Sequence, residues 1–197
     1  WIDGNTYTAS NNTATETILT PSGCDSVVTL NLIINSSPTV TASSNPVSPL
    51  CDGDLLTLTG SGATSYLWDN GVVDNIAFTP AVGTVIYTVT GTDGNSCENT
   101  AAISVTVNAL PIVTASSTPL SPLCEGDDLT LNGGGATSYV WDNGVTDNTL
   151  FTPGVGTVLY TVTGTDVNSC ENTATISVVV NALPTVTASS TPLSPLC

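Results

Sequence analysis

The 197-residue chain contains no lysine, arginine, histidine or methionine, so its 16 Asp and Glu residues give a formal charge of −16 with no basic side chain to offset it. Those absences close most familiar chemistries. Without histidine there is no Ser-His-Asp or Cys-His nucleophile system and no imidazole metal ligand; without lysine there is no Schiff base and no P-loop amine. Without either cation there is no counter-charge for phosphate, so neither nucleic acid nor an anionic membrane surface is expected as a partner. No run of about 20 apolar residues is present that could span a bilayer as a helix, and no direct membrane insertion is expected. Trypsin, which cuts after Lys and Arg, has no site in this stretch, folded or unfolded. The chain does not begin with Met and opens inside a repeat, so the lack of an N-terminal signal sequence carries no information.

What fills the space is strand and turn chemistry. Charged residues are 8% of the chain and hydrophobic ones 40%; the remainder is rich in Thr, Ser and Asn, with 17 Gly and 12 Pro, a mixture that favours strands and tight turns over helices.

Sliding the sequence against itself gives one dominant period. Pro38, Pro111 and Pro184 are 73 residues apart, as are Cys51, Cys124 and Cys197, and residues 38–110 match 111–183 without a gap at 57 of 73 positions. This is a tandem array. The stretch 184–197 begins a further repeat and reaches its first cysteine, which predicts another copy beyond it. Residues 1–37 read as the C-terminal part of a divergent copy: WIDG at Trp1 stands where WDNG stands at Trp68, and GCDSVVTLNLIIN from Gly23 mirrors SCENTAAISVTVN from Ser96.

Within one repeat the hydrophobic period is two. Residues 39–42, 56–58, 66–68, 76–78, 85–90 and 101–107 read as six short strands separated by Gly, Pro, Asn and Asp clusters. Comparing the copies selects the inner face: Leu55 becomes Asp128 and Thr106 becomes Val179, while Leu56, Leu58, Trp68, Phe78, Tyr87, Val89, Ile103, Val105 and Val107 keep their character. That second set is the expected core, with Trp141 and Tyr160 as its counterparts in the other copy. Asp-Asn-Gly at Asp69–Gly71 and Asp142–Gly144 is a tight-turn signal that ends the Trp strand. Six or seven short strands, with Trp on the third and Tyr on the penultimate one, describe a small immunoglobulin-like β-sandwich; the fold expected is all-β, a tandem array of such repeats of 73 residues.

So small a core invites a covalent staple. Six cysteines recur in register with no His and no CxxC, which favours disulfides over zinc. Two pairings are open. Sequential bonds (Cys24–Cys51, Cys97–Cys124, Cys170–Cys197) use all six. Bonds within a repeat (Cys51–Cys97, Cys124–Cys170) leave Cys24 and Cys197 to partners outside the segment, as truncation of both end repeats predicts, and this pairing is preferred. It requires one strand fewer than seven or a displaced first strand, because in a seven-strand topology the two positions lie at opposite poles.

The frame C-[DE]-G-D-x-L-T-L, SYxWDNG and YTVTGTDxNSCENTAxISVxVNA, together with residues 1–35, resembles the secreted Ig-like and PKD-like repeats of very large Bacteroidota surface adhesins. The resemblance covers the whole chain. It implies an extracellular, cell-surface adhesin filament exported by type IX secretion, used in attachment and gliding motility, meeting external surfaces or polysaccharide through the full-length adhesin and a secretion or motility machinery at its base. It also places both cysteines of a pair inside one repeat. No catalytic residues come with it, so no catalytic, cofactor or metal site is expected and the chain is not expected to be an enzyme.

Asp52 and Asp54, with Glu125, Asp127 and Asp128 in the next copy, could offer oxygen ligands to calcium, but EF-hand spacing is absent and a solvated acidic turn fits better. As a glycosidase pair they would put an active site in every copy. Trp68 and Trp141 could stack on sugar rings, making the chain a glycan-binding module, although a Trp on this strand is ordinarily core. Asp25-Ser26-Val27 fits a short acidic-Ser-aliphatic O-glycosylation pattern.

Overall fold

The computed structural model describes residues 1–189 and divides the chain into two compact units, Trp1–Val107 and Asn108–Cys197. Among the described residues every regular element is a strand. The first 37 residues contribute one antiparallel hairpin, β1 (Thr15–Ile18) with β2 (Ser26–Thr29).

The first full repeat forms β3 (Thr41–Asn45), β4 (Leu50–Cys51), β5 (Leu56–Ser61), β6 (Ser65–Trp68), β7 (Ala77–Phe78), β8 (Gly83–Thr92) and β9 (Glu98–Asn108). These make a three-stranded sheet in the order β3-β5-β7 and a four-stranded sheet in the order β4-β9-β8-β6. The second repeat builds the same two sheets from β10 (Thr114–Thr118), β11 (Leu123–Cys124), β12 (Leu129–Gly134), β13 (Ser138–Trp141), β14 (Leu150–Phe151), β15 (Gly156–Thr165) and β16 (Glu171–Asn181). Each repeat is thus an immunoglobulin-like sandwich.

The strand count is seven because the first strand divides. Its first part pairs antiparallel with the three-stranded sheet; the chain then crosses a Pro-x-x-Pro segment, and its last two residues join the other sheet. In the second repeat this pairing is parallel, Leu123 opposite Val180 and Cys124 opposite Asn181. A side-chain bond secures the crossing, since Ser48 Oγ accepts from the Thr106 amide at 2.8 Å and Ser121 Oγ does the same for Val179. The sequence reading overlooked this strand because two residues cannot display a period.

The interior follows the two-residue alternation. Leu56 and Leu58 from one sheet meet Trp68, Tyr87, Val89, Val105 and Val107 from the other, with Phe78 and Ile103 packed half-buried against them. Trp68 and Trp141 are each 4% exposed and Tyr87 and Tyr160 each 5%, whereas Leu55 is 62% exposed and Asp128 faces solvent, as the alternation and the differences between copies require. None of the 16 positions at which the two copies differ is buried in either copy. The interior has been copied unchanged while the surface varied.

The Asp-Asn-Gly turn does end the Trp strand. Asn70 and Gly71 adopt positive φ of 54° and 72°, and the Val72 amide closes onto the Asp69 carbonyl. The chain then leaves its sheet for β7 in the opposite one, so the turn begins a crossing and not a two-strand hairpin. Glycine is required at Gly62, whose φ is +90° and where a Cβ would lie 1.8 Å from the Thr39 carbonyl oxygen.

Truncating a residue on the shared inner face should therefore differ sharply from truncating its outward neighbour. Leu58→Ala should cost about 2–5 kcal/mol in urea unfolding, and Leu55→Ala less than about 0.5 kcal/mol.

Candidate functional site

The features singled out in the sequence fall in three places: the acidic turns, the buried indoles and the cysteines. The carboxylates are largely occupied by the chain's own backbone. Asp54 Oδ2 accepts from the Cys51 amide at 2.8 Å and Asp127 does so from Cys124. Asp69 Oδ1 accepts from the Thr88 amide, and Asp93 Oδ1 from the amides of Asn95 and Cys97 at 2.8 and 2.9 Å. Asp128 accepts from the Thr152 hydroxyl, and Glu125 from the Leu183 amide. Among the described residues no group of three or more Cys, Asp or Glu is disposed to hold a metal ion. Asp54 and Asp127 thus close turns onto backbone amides, Glu125 and Asp128 bond to Leu183 and Thr152, and Asp52 is exposed.

The most consequential carboxylate is one that the sequence reading did not single out. Asp74, in the crossing between β6 and β7, points inward; its Oδ1 accepts from Trp68 Nε1 at 2.8 Å and from the Gly60 amide at 2.7 Å. Trp68 belongs to the four-stranded sheet and Gly60 to the three-stranded one, so a single oxygen ties the sheets together. Asp147 repeats the arrangement with Trp141 and Gly133, both at 2.8 Å. Asn75 completes the loop, its amide donating to the Leu58 carbonyl and its side-chain oxygen accepting from Thr59. The signal was available: both copies keep an Asp six residues after the Trp. Its indole N–H satisfied and its ring buried, neither Trp presents a face to a sugar.

Beside Asp69 lies a cleft of about 310 Å³ lined by Val72, Ile76, Phe78, Pro80 and Tyr87 among others. Burial, and secondarily the Asp69 charge, raise the Tyr87 phenol above its ordinary value; burial and Asp142 do the same for Tyr160. A second tyrosine is structural: Tyr66 donates to the Ala63 carbonyl and accepts from the Ala63 amide, and Tyr139 repeats this at Ala136.

The cysteines correct the preferred pairing. Cys51 and Cys170 are disulfide-bonded, while Cys24, Cys97 and Cys124 carry free thiols. Neither Cys51–Cys97 nor Cys124–Cys170 is formed. The physical reason is the seventh strand. Cys124 stands opposite Asn181, at the end of the 11-residue β16, and Cys170 immediately precedes its start. At about 3.3 Å per residue the two lie roughly 30 Å apart, against the 7 Å or less between Cα atoms that a disulfide tolerates. The sequential bond Cys97–Cys124 is also absent. Cys197 lies outside the described residues.

No protein-family model matches the chain, and no curated protein does. Among solved structures it is similar to the fibronectin(III)-like modules of Clostridium thermocellum CbhA, at 12% identity and a TM-score of 0.35, over 77% of this chain and all of that one. It is also similar to the extracellular cadherin domains 1–4 of protocadherin gamma B7, at 10% identity and a TM-score of 0.30, over 88% of this chain and 66% of that one.

If Asp74 is the tie between sheets, Asp74→Ala should leave the Trp68 and Gly60 donors unsatisfied and cost about 3 kcal/mol. Asp74→Asn, which keeps an acceptor oxygen, should cost about 1 kcal/mol. Urea unfolding followed by Trp fluorescence measures both.

Proposed function

We propose that the chain is a stretch of the repeat stalk of an extracellular, cell-surface adhesin filament, in which each sandwich serves as a spacer. The observation that carries this reading is the distribution of differences between the copies. All 16 lie outside the buried set, while the Trp–Asp–Gly tie, the tyrosine bond and the cysteine register recur intact. Such a pattern is what selection for a folding unit leaves, and repeated folding units are what a spacer array is built from. Disulfide-bonded Cys51 and Cys170 favour an oxidising location outside the cytosol. Buried Trp68 and Trp141 favour the spacer over a glycan-binding module.

The finer reading comes from the motif frame that resembles Bacteroidota Ig-like and PKD-like repeats: a filament exported by type IX secretion, contacting external surfaces or polysaccharide through other parts of the adhesin and driven from its base in gliding. The reaction class is none; the chain acts mechanically.

An antiserum raised against residues 38–183 and applied to cells that make the protein tests the placement. Intact cells should be labelled as strongly as permeabilised ones. Labelling that requires permeabilisation would overturn the reading.

A further inference from the structure

The two cysteines of a repeat have different addresses, and those addresses recur. The first of the pair sits at the pole where the last strand ends: Cys124 is opposite Asn181, and its amide is held by Asp127. The second sits at the other pole, in the hairpin before the last strand: Cys97 and Cys170 have their amides held by Asp93 and Asp166. That hairpin is fastened to the residue that opens the repeat, since the side chain of Asn99 donates to the Pro38 carbonyl at 2.9 Å and that of Asn172 to the Pro111 carbonyl at 3.0 Å. Both kinds of site are competent for bonding, because Cys51, of the first kind, and Cys170, of the second, are disulfide-bonded.

We propose that the exposed thiol of Cys124 is one half of a disulfide completed by the hairpin cysteine of a repeat that follows it. The chain itself supplies the reach. From Asn181, beside Cys124, only Ala182 and Leu183 intervene before Pro184, which opens the next repeat and corresponds to Pro38 and Pro111. Three residues span at most about 10 Å. A following copy built like the two described here fastens its hairpin cysteine next to that same proline, so the distance to Cys124 is set by a short tether at one side and a hydrogen-bonded hairpin at the other. The bond is then a covalent bypass of the linker: a repeat stays joined to its successor even where the connecting peptide is cut or pulled. Its formation is an ordinary exchange. The Cys124 thiolate attacks a small-molecule disulfide such as oxidised glutathione, releasing one glutathione; the second thiolate displaces the other glutathione; and the two cysteine protons end on the two glutathione thiols.

This proposal rests on reading the chain as a stretch of a longer array, and the test separates the two. The chain is extended so that the repeat opening at Pro184 is completed with the counterparts of 125–183. It is refolded in a glutathione redox buffer, free thiols are alkylated, and non-reduced peptides from a chymotrypsin digest are mapped by mass spectrometry. Cys124 should lose its alkylation and appear linked to the hairpin cysteine of the added copy. In the Cys124→Ser form of the same chain that hairpin cysteine should become alkylated while the added copy keeps its fold, read from its buried Trp fluorescence. A folded added copy with Cys124 still alkylated, or linked to Cys197, overturns the disulfide and leaves the array reading standing. An added copy that does not fold counts against both.

Discussion

A single carboxylate oxygen in each repeat holds the two sheets in register. Asp74 accepts at once from the indole of Trp68 on one sheet and from the amide of Gly60 on the other, and Asp147 does the same in the second copy. The ring of Trp68 is buried with its N–H partnered, and a buried donor left alone costs about 1–3 kcal/mol, a large share of the stability margin of so small a domain. The loop that carries the aspartate must therefore cross from β6 to β7 along one path. Asn75 pins that path by bonding to β5, and the Asp-Asn-Gly turn begins it.

The same logic extends to the rest of the charge. A chain with 16 acids and no basic side chain can form no salt bridge between side chains, so its carboxylates turn to backbone N–H groups. Asp93 satisfies the amides of Asn95 and Cys97 in an Asx-type turn, and Asp54 and Asp69 accept from the strand amides of Cys51 and Thr88, as their counterparts do in the second copy, all without any cation. Part of the acidity thus serves to close loops. What charge remains unsatisfied is spread along the surface, where salt screens it.

Much of this was legible in the sequence. The buried Trp and Tyr, the outward Leu55 and Asp128, and the turn after Trp68 follow from a two-residue period read against the differences between two copies. Three features were not legible, each for a physical reason. The strand Leu50–Cys51 is too short to show a period and is defined by its neighbour, β9. Asp74 lies in a loop, where periodicity says nothing, although its constant distance from the Trp marked it. The disulfide register does not follow from repetition, which reveals which cysteines are equivalent but not which pole each occupies; that depends on the split first strand, which places the cysteines of one repeat at opposite ends of an 11-residue strand.

The central claim, that a loop carboxylate fixes each buried indole, is tested most directly by hydrogen exchange of the three indole N–H protons in a proton NMR spectrum. Trp68 and Trp141 should exchange slowly, on the timescale of unit opening, while Trp1, which is 38% exposed, exchanges at the rate of a solvated ring. Fast exchange at Trp68 and Trp141 in the folded protein would contradict the account.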